Sequence, residues 1–74
     1  MTKENLLKIV GQNIKNIREE KNISQQQLAA ACNFEKSNMS RIEAGRSNLT
    51  LYSLYKISNV LDVRVEKLVQ LTNE

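Results

Sequence analysis

The chain has 74 residues, 41% of them hydrophobic and 26% charged, a length that leaves room for one domain with a small core, since roughly 60% of the unfolded surface is buried at this size. Eleven Lys or Arg against eight Asp or Glu give a net charge of +3, a modest bias towards polyanions that an ordinary surface would show equally well. A single cysteine and no histidine exclude an internal disulfide and a conventional Cys/His zinc site, and no run of about 18 apolar residues is present to span a membrane.

The opening "MTKENLLKIVGQNIKNI" starts basic, but Asn, Gln and Lys interrupt its apolar run and no small-residue cleavage site follows. It reads as the start of a folded domain and not as a leader, so a cytoplasmic location is expected. Leu6, Leu7, Val10, Ile14, Ile17 and Lys21 recur at helical steps with Lys8, Asn13, Lys15 and Glu19 turned away, predicting a first helix over roughly 4–21. Asn22 suits a left-handed stop, and Ser24 with Gln27 three residues on reads as a capping box. A second helix follows from Gln25 to about Cys32, with Leu28, Ala29 and Cys32 inward. Asn33 can end it in the left-handed region, and Phe34 can fill the corner before the next helix.

The third helix is read as Lys36 to Ala44, stopped by Gly45. Its only sizeable apolar residues, Met39 and Ile42, fall on one side, while Ser37, Ser40, Arg41 and Ala44 fall on the other and Lys36 is exposed in the first turn. After the loop "GRSNL", Thr50 caps a fourth helix with Leu51, Leu54, Ile57, Ser58 and Leu61 inward. "LDVR" interrupts the pattern, and a last helix covers about Val65 to Leu71. No strand pattern or linker intervenes, so the expected fold is all-α, one domain over residues 1–74.

A short turn joining the second and third helices is the unit that presents its second helix to a DNA major groove, although helix pairs with short turns also serve plain packing. Arg18 and Glu43 each flank an inward face. Their spacing permits an ion pair between the first and third helices, or two separate solvated charges.

From Val10 to Val69 the sequence resembles the helix-turn-helix domain of the phage Cro and lambda-repressor-like family, also called the xenobiotic-response-element family. The resemblance rests on the Ile17-Arg18 pair, "SQQQLA", "NFEKSNMSRIEAG", "TLYSLYKIS" and "LDVRVEKL" falling in register. It implies a compact five-helix domain with the second and third helices as the helix-turn-helix, and Arg18 with Glu43 as a structural ion pair. The family's base-reading positions fall on Lys36, Ser37, Asn38 and Arg41. A lysine or arginine donates to guanine O6/N7, and an asparagine pairs with adenine; Ser37 and Arg41 are also the ones that periodicity turns outward. Gln25, Arg46, Ser47 and Asn48 match positions that grip the DNA backbone. Asn33 and Asp62 stand where glycine is common, Leu49 replaces a frequent proline, and Glu35 stands where Ser or Thr often caps the third helix.

The implied function is a sequence-specific regulator, a dimeric repressor on a near-palindromic double-stranded operator, because one short helix reads only a few base pairs. Tyr55, Val60, Val63 and Val69 are the candidate homodimer surface, although the same residues would equally complete a small core. The alternative is a protein-interaction module, such as an antitoxin-like adaptor that keeps the helix-turn-helix shape. No enzyme and no cofactor are expected: a histidine base and a glycine-rich phosphate loop are missing, Glu19 and Glu20 are merely adjacent, and Cys32 reads as core.

Overall fold

The computed structural model describes residues 1–71 as five helices: α1 (Lys3–Glu20), α2 (Gln25–Ala31), α3 (Lys36–Glu43), α4 (Leu51–Leu61) and α5 (Val65–Leu68). The expected all-α architecture is what the chain adopts, and the last three residues of the expected domain, 72–74, lie outside the described residues. α5 is shorter than its apolar pattern predicts, ending at Leu68 instead of Leu71.

Side-chain caps begin three of the helices. Thr2 accepts a hydrogen bond from the Asn5 N–H at 3.1 Å, Thr50 accepts one from Ser53 N–H at 3.0 Å, and Ser24 and Gln27 complete the reciprocal capping box. Each such cap stabilises its helix by about 1 kcal/mol. Glu35 and Arg64, which precede α3 and α5, make no side-chain cap bond.

The first four helices end by one device. A backbone N–H reaches back five residues, Ile23 to Arg18, Phe34 to Ala29, Arg46 to Arg41 and Val63 to Ser58, at 2.8–3.1 Å. Closing that ring needs one left-handed residue just before the donor. Asn22, Asn33, Gly45 and Asp62 supply it, with φ of 59°, 61°, 76° and 57°. Asn and Asp tolerate this region because their short polar side chains compensate locally, so the two departures from glycine keep the turn geometry.

Val10, Ile14, Leu28, Ala29, Cys32, Met39, Ile42, Ile57, Leu61 and Leu68 form one core to which every helix contributes. Burial raises the pKa of the Cys32 thiol above its ordinary value, opposed only in part by nearby Lys56, as befits a small core residue and not a nucleophile. Two inward assignments are corrected. Leu51 shares the helical phase of Leu54 and Ser58 but is 75% exposed at the start of α4, and Leu6, near the start of α1, is 39% exposed. Asn13, expected to point away, is half-buried and donates to the carbonyls of Leu68 and Gln70 at 3.0 and 2.7 Å. It thereby ties the end of the fold to α1.

Candidate nucleic-acid interface

α3 is held from behind. Met39 and Ile42 sink into the core, and Glu43 is buried beside them. The Arg18 guanidinium donates to both carboxylate oxygens, Nε to Oε2 at 2.7 Å and Nη2 to Oε1 at 3.1 Å, and its Nη1 donates to the Ile23 carbonyl at 2.9 Å. Hydrogen bonding to Glu43 raises the arginine's pKa still further, burial opposing. Among the described residues every buried side-chain nitrogen or oxygen has a hydrogen-bond partner, so this polar centre is fully satisfied, the condition under which a buried ion pair is tolerated.

Close approach of α1 to α3 depends on Gly11. A Cβ there would lie 2.4 Å from the Ile42 carbonyl oxygen and 2.6 Å from that of Glu43. Gly45 plays the same part in the next loop, where a Cβ would lie 2.7 Å from Lys8 Cα. Sequence reading missed the role of Gly11; its signal was a glycine in the middle of a helix, where that residue normally costs stability.

The opposite face of α3 is open. Lys36, Ser37, Ser40, Arg41 and Ala44 are exposed and Asn38 is half-buried. Among the described residues no side-chain hydrogen bond within the chain holds Lys36, Ser37, Asn38 or Arg41, which leaves their donors for an external partner.

Gln25 meets α3 at its last residue, Glu43, and the loop 46–48 follows that same end. Gln25 is the first residue of α2, and its Nε2 donates to Glu43 Oε1 at 3.0 Å. Its side chain thus joins the buried pair, while the first N–H groups of α2 remain without helical acceptors. Arg46 and Asn48 are exposed and Ser47 is half-buried, its hydroxyl 3.5 Å from the Asn48 carbonyl. The turn between α2 and α3 is braced against α4 by the Lys56 ammonium, 4.8 Å from the centre of the Phe34 ring and 5.5 Å from that of Tyr52.

The candidate self-association residues divide. Tyr55 and Val69 are exposed, whereas Val60 and Val63 are partly buried and pack against the core. The exposed apolar surface around Tyr55 is instead made by Leu51, Tyr52 and Val65, with the two tyrosine rings stacked at 6.4 Å.

A helix-turn-helix family model matches residues 14–68. An uncharacterized HTH-type transcriptional regulator, y4dJ, of Sinorhizobium fredii is 36% identical over 67 residues, covering 90% of this chain and 87% of that protein. The control protein C.BamHI of Bacillus amyloliquefaciens is 36% identical over 69 residues, covering 92% and 85%. Among solved structures, SinR from Bacillus subtilis, a master regulator for biofilm formation, in complex with DNA, is 40% identical with a TM-score of 0.77 over 82% of this chain and 98% of that one.

Proposed function

The chain belongs to the helix-turn-helix family, and on that premise we propose that it is a sequence-specific, double-stranded DNA-binding transcriptional regulator, acting in the cytoplasm as a dimeric repressor. The observation that carries the reading is the asymmetry of α3. One side is locked by Met39, Ile42 and the Arg18–Glu43 pair, and the other is polar, largely exposed and, among the described residues, free of side-chain hydrogen bonds within the chain. Such a helix enters the major groove without giving up any intramolecular bond.

In this reading Lys36, Ser37, Asn38 and Arg41 face base edges. Arg41 makes the bidentate guanine contact, and half-buried Asn38 works from the rim of the helix. The α2 terminus at Gln25 and the loop Arg46, Ser47 and Asn48 hold phosphates and set register. Two copies joined through the Tyr55 and Val69 surface, enlarged by Leu51, Tyr52 and Val65, would address near-palindromic half-sites about 34 Å apart. Repression then follows from occupying a site that polymerase needs.

A protein-interaction module is the second reading, and the observation that favours it is the same apolar surface around Tyr52 and Tyr55. Selection from random duplexes at physiological salt separates the two. Enrichment of a two-fold-related motif supports the regulator. No enriched motif, together with a protein partner that covers α3, supports the module.

A further inference from the structure

We infer that Lys8, Gln12 and Lys15 of α1 form, beside Ser40 and Ala44 of α3, a contact strip for backbone phosphates of the duplex that α3 engages; the inference rests on the DNA-binding reading above. These residues line one groove with Glu43 among them. Both Glu43 oxygens are engaged, Oε2 by Arg18 and Oε1 by Arg18 and Gln25. The carboxylate is therefore neutralised within the fold, and Lys8 and Lys15 are the groove's uncompensated charges. Both lysines are exposed, and among the described residues neither is in an ion pair. Glu19, one turn from Lys15, leans on Arg18 at 4.0 Å instead.

The groove borders the proposed reading face. Ser40 lies about 60° round α3 from Ser37, so it is shared between the groove and the exposed side. Gly11 and Gly45 let α1 run against the backbone of α3 and its following loop, fixing Lys8 next to the segment that begins at Arg46. Glu43, which lines the groove, also accepts from Gln25. The strip thus adjoins residues of both segments proposed above to hold the DNA backbone. Lys8 and Lys15 are two helical turns apart, about 10 Å, so they suit separate phosphates and do not compete for one. Gln12 donates one amide N–H to Asn16 Oδ1 at 2.8 Å and keeps a second to offer. An ammonium on a flexible stem is a point charge without a fork, so the strip adds affinity and salt dependence without sequence preference.

The test uses the full chain and the duplex enriched in the selection above, with a scrambled duplex as control. Lys8→Gln, Lys15→Gln and the double variant are titrated across a salt series beside Lys67→Gln, an exposed lysine on α5, with thermal melts to verify folding. Each groove substitution should lower affinity for both duplexes by the same factor and flatten the log–log salt slope by about 0.9 per phosphate lost, leaving the enriched motif unchanged. Slopes equal to those of Lys67→Gln overturn the strip while the DNA-binding reading stands. Saturable binding of inorganic phosphate at the groove with unchanged duplex slopes also overturns it, in favour of a small free anion. A parent protein that enriches no duplex removes the reading and the strip together.

Discussion

Arg18 in α1 and Glu43 in α3, 25 residues apart in the chain, form a buried bidentate ion pair whose carboxylate also receives the Gln25 side chain. One carboxylate therefore joins α1, α3 and the first turn of α2. Its side chain is only 3% exposed and that of Arg18 10%, so removing either partner strands the other charge out of water. Glu43→Ala should cost about 3–5 kcal/mol, against a total of about 4–11 kcal/mol for a domain of this length. Urea denaturation checks this, and a midpoint equal to the parent's removes the pair from the stability account. Arg18→Met with Glu43→Leu together should cost less than the sum of the single changes, because no charge is left unpaired.

Gly11→Ala sets two effects against each other. In an open helix the change gains about 0.5–1 kcal/mol. Here the new methyl meets backbone carbonyls of α3 that cannot swing aside, and overpacking of this kind costs about 1–3 kcal/mol. The expected net result is destabilisation, and DNA affinity should fall further as α1 is pushed off α3. A variant as stable as the parent would refute the close-packing role.

Arg41→Ala should do the reverse. Arg41 is exposed and makes no side-chain bond within the described chain, so stability should move by less than about 0.5 kcal/mol. Binding to the selected duplex should weaken by about 1–3 kcal/mol and lose preference at one base pair. Parallel melts and titrations check this. A large stability loss with unchanged base preference would reverse the assignment.

Tyr55→Lys places a charge at the stacked tyrosines and should shift a homodimer towards monomer without unfolding it, since Tyr55 is 52% exposed. Sedimentation equilibrium reads the mass, and titration of one-half-site against two-half-site duplexes reads the lost cooperation. An unchanged mass would move the interface elsewhere.

Cys32 gives a pH dependence with a definite sign. Its pKa is raised by burial, so the contribution is fully present below the unfolded value near 9.0 and is lost as the pH rises towards the folded one. Stability should therefore decline from about pH 9 upward, and Cys32→Ala should decline less over the same range. A chromogenic disulfide reagent should label the thiol at the rate of unfolding, and rapid labelling of the native protein would contradict its burial.

Much of the architecture was legible because local rules govern it. The helical period, the Ser24 and Thr50 caps and the left-handed stops at Asn22 and Asn33 each depend on residues within a few positions, and all are present in the fold. The phase of α3 likewise sent Met39 and Ile42 inward and Ser37 and Arg41 outward. Leu51 and Asn13 were misread because periodicity identifies a face without telling what lies against it. Leu51 stays in water at the edge of the face that Leu54 buries, and the distant carbonyls of Leu68 and Gln70 draw Asn13 in.

By itself the sequence determined which segments are helical, where the first four stop and which side of their middle turns is apolar, since hydrogen bonds and side-chain phases of neighbouring residues settle those questions. Only the tertiary structure decided that Arg18 meets Glu43, that Gln25 joins them, that Gly11 lets α1 touch α3, and that Lys8 and Lys15 flank the same helix. Those relations link residues far apart in the chain, and they exist because burying one small shared core leaves the helices few ways to lie against one another.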